Sequence, residues 1–70
     1  MKKHYTIVVE GRLDSHWEGE FGALRIDPRR DGTTALVGSV RDQSDLHCQI
    51  RRIERLGLRL VSVNERGGAS

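Results

Sequence analysis

The 70-residue chain predicts a small α+β domain, and three observations carry that prediction. Short β-branched runs alternate apolar and polar residues with the period of a strand, at residues 4–10, 33–40 and 58–63. One stretch, opened by Asp42 and closed by Gly57, repeats its apolar residues at helical spacing. An Asp-Gly corner joins two of the extended runs, which is hairpin chemistry.

The first run, His4 to Glu10, sets Tyr5, Ile7 and Val9 on one face and His4, Thr6, Val8 and Glu10 on the other. Gly11 ends it. In residues 12–22, Leu13, Trp17 and Phe21 recur at every fourth position, one face of a helix, with Asp14 as a cap and Glu18 and Glu20 in the early turns. Gly19 and Gly22 oppose that helix by about 1 kcal/mol each relative to Ala. The expectation is a helix of about two turns, with Trp17 and Phe21 covering one end of the core; the alternative is a loop.

Ala23 to Asp27 reads as a second strand and Thr33 to Val40 as a third. Between them Pro28 fixes its own φ and Asp31-Gly32 supplies the corner. Asp42 then caps the main helix, and Asp45 adds negative charge where the helix dipole favours it. Leu46, Ile50 and Ile53 form its core face, whereas Ser44, Cys48, Arg51 and Arg55 point the opposite way. Gly57 stops the helix, and Leu58 to Val63 is the last strand. Strand, short helix, hairpin, helix, strand fits a ferredoxin-like βαββαβ plait, a four-stranded antiparallel sheet with helices on one face. If residues 12–22 are loop, the order becomes βββαβ.

A chain of this length makes one domain, assigned here to residues 1–63, followed by a flexible tail over residues 64–70. Such a domain buries only about 60% of its unfolded surface, so association is a common source of added stability. One cysteine excludes an intrachain disulfide and fits a reducing, cytoplasmic compartment. Met1-Lys2-Lys3 is followed by only Ile7-Val8-Val9 before Glu10, so neither an export signal nor a membrane partner is expected. With 12 basic and 10 acidic residues, the charge balance does not by itself argue for nucleic acid.

Strand parity places Val8, Val37, Val61 and Val63, with Ala35, on the sheet face away from the helices. That face is too apolar for water, which predicts a homodimer or another protein partner across it. On the polar side of the main helix, Cys48 stands beside Arg51, Arg52 and Arg55, and nearby guanidinium groups favour a thiolate. The same arginines form a candidate anion or phosphate face. His47 adjoins Cys48 but diverges from it by about 100° on a helix, which does not suit chelation of one ion. His4 and His16 are isolated, so no metal site is expected. Asp14, Glu18 and Glu20 cluster near His16, where caps and solvated charge explain them as well as acid-base chemistry does. No phosphate loop, dinucleotide fingerprint or nucleophile elbow is present, so no cofactor and no catalytic residue is assigned.

The stretch Asp42-Gln43-Ser44-Asp45-Leu46-His47, through Ile50-Arg51-Arg52-Ile53 to Leu56-Gly57-Leu58 and Val61-Ser62-Val63, resembles a group of very small bacterial proteins of unassigned function. Asp31-Gly32-Thr33-Thr34 and the Leu13 to Trp17 segment are similar to theirs as well, so the likeness covers most of residues 5–63. Those proteins carry a glycine where Cys48 stands here. The resemblance implies a self-contained cytoplasmic fold and supplies no activity. The functional expectation is therefore an oligomeric binding or interaction module of unknown ligand. A weak nucleic-acid binder using the arginine face, or a small enzyme with a site between subunits, are the alternatives.

Overall fold

The computed structural model describes residues 3–13, 15–17 and 19–66. The elements are β1 (Lys3–Glu10), a single 3-10 turn η1 (Ser15–Trp17), β2 (Arg25–Pro28), β3 (Thr33–Val40), α1 (Gln43–Arg55) and β4 (Leu60–Arg66). The strands form one sheet in the order β2-β3-β1-β4, and every neighbouring pair is antiparallel. This is a small α+β fold with one α-helix.

The α1 boundaries follow from their caps. Asp42 is extended, and its carboxylate accepts from Asp45 N–H at 2.9 Å, satisfying one of the free amides of the first turn. Asp45 reaches back to accept from Arg41 N–H at 3.0 Å, a reciprocal arrangement close to a capping box. At the other end Gly57 takes φ +81°, Gly57 N–H donates to Glu54 O and Leu58 N–H donates to Ile53 O, the paired bonds of a Schellman stop. Leu46 and Ile53 are buried and Ile50 packs beside them on the sheet.

The core is the face shared by Ile7, Val9, Leu36 and Val40, sealed by Leu13, Phe21 and Leu24 from the β1–β2 connection. Ile7 stands opposite Leu36 on one side and Val63 on the other, and Ile26 stands opposite Leu36. Thr34, fully buried among these, donates its hydroxyl to Gly11 O and accepts from Leu13 N–H.

Three expectations need correction. Among the described residues of 12–22 the helical element is the single turn η1 and not a two-turn helix, and Gly19 and Gly22 take positive φ, which breaks the repeat. The spacing of Leu13, Trp17 and Phe21 therefore reflects a packed connection, in which Phe21 is fully buried and Trp17 half-buried. The proposed cap Asp14 lies outside the described residues. Second, the last strand runs to Arg66, its Asn64, Glu65 and Arg66 pairing with Thr6, Tyr5 and His4, so the part of the tail at 64–66 is sheet. Residues 67–70 lie outside the described residues. Third, Val63 is on the helix side of the sheet. Val8 pairs with Ser62 but Val9 with Leu60, so Val61 is an extra residue, a bulge that reverses parity along β4.

The hairpin forms as its turn residues dictate. Arg29 N–H donates to Thr33 O at 2.8 Å, and the Asp31 carboxylate accepts from Thr33 N–H at 3.0 Å and from its hydroxyl at 2.6 Å. The Thr33 hydroxyl and then its amide hold the Asp31 carboxyl below its ordinary pKa.

Candidate functional site

Two surfaces carry the residues singled out from the sequence. The first is the open face of the sheet. Val8 stands opposite Ala35 and Ser62, and Thr6 stands opposite Val37 and Asn64. On the edge strand, Arg25 stands opposite Val37 and Asp27 opposite Ala35. These residues alternate with the core-facing Ile7, Leu36 and Ile26, so they share the face turned away from α1. Val8, Thr6, Val37 and Ser62 are half-buried, Ala35 is buried, and Arg25, Asp27 and His4 are exposed at the rim. A shallow hollow of about 630 Å³ opens on the β2 side, lined by His4, Arg25, Asp27, Val37 and Ser39 among others. Val61 is 52% exposed at the bulge, the largest exposure among the described large apolar residues.

The second surface is the outer side of α1. Cys48, Arg51, Arg52 and Arg55 do come together, and with Glu20 and Leu56 they line a hollow of about 490 Å³. Arg52 Nη1 donates to the Glu20 carbonyl, which ties the chain around Gly19–Phe21 to the helix. The Cys48 thiol is exposed and unbridged. Leu56 was legible in principle, being one turn beyond Arg52 on the same side of the helix. Glu20 was not, because it is brought in by a connection remote in sequence.

Among the described residues, the remaining candidates form no metal-binding cluster: no group of three or more His, Cys, Asp and Glu side chains is placed to hold a metal ion. His16 and Glu20 are exposed; Asp14 and Glu18 lie outside the described residues. No helix among the described residues is long and apolar enough to cross a membrane.

The chain matches, over residues 4–64, the family model described as a domain of unknown function (DUF8691). It belongs to that family. The match takes in the whole of β2, β3 and α1 and most of β1 and β4. Both surfaces of this DUF8691 domain thus lie within the family's own span. Neither the curated proteins nor the solved structures contain a match to the chain.

Proposed function

We propose that this DUF8691 domain is a small interaction module that self-associates through the open face of its sheet, two copies meeting face to face about a two-fold axis. The observation that carries the reading is the apolar strip on that face: half-buried Val8 and Val37 flank the fully buried Ala35 there, while α1 and the β1–β2 connection pack on the other side. Strands about 4.8 Å apart, three of them seven or eight residues long and β2 of four, present roughly 400 Å² in flat projection. A standard interface buries roughly 800 Å² per partner, so the exposed rim residues Arg25, Asp27 and His4 add their area to the contact. The small residues Ala35, Ser39 and Ser62 let a second sheet approach to about 10 Å, the usual sheet-packing distance.

Charge at the rim supports a second copy as the partner. Arg25 and Asp27 stand two residues apart on the edge strand, so one face offers both signs and a rotated copy can oppose unlike charges. The single cysteine supports a reducing, cytoplasmic setting. We also read the architecture as a ferredoxin-like plait whose first helix has shrunk to η1; the support is the strand order β2-β3-β1-β4 with antiparallel neighbours throughout.

Light scattering on a size-exclusion column, with reductant present, tests the association. The expected mass is twice the 7.9 kDa of the chain, and Val37→Lys returns it to one chain with an unchanged circular-dichroism spectrum. A wild-type monomer at high concentration sinks the reading.

A further inference from the structure

The outer side of α1 carries more positive charge than the fold uses. Cys48, Arg51, Arg52 and Arg55 fall within an arc of about 100° on a helix. Arg51 and Arg55, like Cys48 and Arg52, are one turn apart, so the guanidinium groups crowd each other and like charges at that spacing are destabilising. Two of the described cations have carboxylate partners, Lys3 at 3.9 Å from Glu65 and Arg41 at 3.9 Å from Asp45. Among the described residues no carboxylate comes within 4.0 Å of Arg51, Arg52 or Arg55. The helix dipole accounts for part of the surplus, since Arg52 and Arg55 are in the last turn. That dipole is worth only about half a negative charge, against three guanidinium groups. The balance is exposed to solvent, on three side chains open to a ligand.

We propose that the hollow formed by Arg51, Arg52, Arg55, Cys48, Glu20 and Leu56 is a binding site for a small polyanion, a ligand with two or more phosphate or carboxylate groups beside a short apolar part. Arg52 is held by the Glu20 carbonyl through one Nη, which fixes its fork in place before any ligand arrives. Arg51 and Arg55 supply two further forks about one helical turn apart. Leu56, 38% exposed, forms an apolar wall. The hollow spans about 10 Å from Cys48 to Arg55 along the helix, which suits two or three linked oxyanion groups. A single-stranded nucleic acid needs a longer track, about four nucleotides or more for one binding fold, with aromatic residues to stack its bases. Within the hollow no aromatic residue is present.

The Cys48 thiol lies in the same hollow and serves as a built-in reporter. The test is a titration of the full chain with inorganic tripolyphosphate and, separately, with citrate, at ionic strength held constant with chloride. Amide chemical shifts are read together with the rate of Cys48 alkylation by iodoacetamide. The expected result is a saturable shift confined to Glu20 and residues 48–56, with alkylation slowed as the bound anion covers the thiol. Arg51→Gln combined with Arg55→Gln weakens binding by roughly tenfold or more, while Arg59→Gln leaves it unchanged. Saturation by tripolyphosphate alone assigns phosphate chemistry, and by citrate alone carboxylate chemistry. Shifts that chloride reproduces, or unslowed alkylation in the wild-type chain, overturn the proposal without reference to any variant. Tighter binding of a single-stranded oligonucleotide than of tripolyphosphate at matched charge overturns it in favour of a nucleic-acid surface.

Discussion

The Thr34 hydroxyl donates to the Gly11 carbonyl at 2.7 Å while accepting from Leu13 N–H at 3.1 Å. One buried side chain on β3 thereby satisfies two backbone groups where the chain leaves β1. The bond pair replaces the regular ladder at the point where Gly11 turns out of the sheet, and it directs Leu13 into the core.

Thr34→Val keeps the shape and removes both bonds. The Gly11 carbonyl and Leu13 amide lose their partner, so a loss of about 1–3 kcal/mol is expected in urea unfolding. Thr34→Ser, which keeps the hydroxyl and drops a methyl, costs less. Equal losses in the two variants would assign the effect to packing instead.

Gly38→Ala tests a close approach between segments. A Cβ at Gly38 would stand 2.5 Å from the Ala23 carbonyl oxygen and 3.0 Å from Leu24 Cα. Backbone must move on one side or the other, and overpacking of this kind costs about 1–3 kcal/mol. A midpoint of denaturation within error of wild type would mean that the residue 23–24 crossing is not held against β3.

The bulge at Val61 makes neighbouring valines unequal. Val63 packs against the core, so Val63→Asp is expected to lose more than about 3 kcal/mol or to prevent folding. Val61→Asp, at an exposed bulge position, changes stability by about 0.5 kcal/mol or less. Thermal melts of the two variants distinguish this register from unbroken alternation along β4, which would make them alike.

Asp31 gives a pH signature. Its carboxyl is held low by the Thr33 hydroxyl and amide, so its contribution to stability is complete above the unfolded value of about 4 and is lost as the pH falls through the lower folded value. The difference in melting temperature between wild type and Asp31→Asn is therefore expected to be constant near neutrality and to shrink as the pH drops below about 4. A difference that grows on acidification would contradict the hydrogen-bonded loop.

Much of the fold is written locally. Asp42, Asp45, Gly57 and the spacing of Leu46, Ile50 and Ile53 specify α1 to within a residue, because caps and helical period act over four positions or so. Pro28 and Asp31-Gly32 place the hairpin for the same reason. The clustering of Cys48 with Arg51, Arg52 and Arg55 was legible as well, since one helix period suffices to align them.

The sequence by itself determined an α+β domain, its main helix and hairpin, and the two faces on which function was to be sought. Tertiary structure alone decided that residues 12–22 pack as a connection around Phe21, that β4 bulges at Val61 and turns Val63 inward, and that Glu20 closes the arginine hollow. The physical reason is range. Turns, caps and helical faces are settled by neighbours in the chain, whereas a bulge, a buried hydroxyl such as Thr34 or a glycine such as Gly38 is selected by backbone that arrives from elsewhere in the sequence.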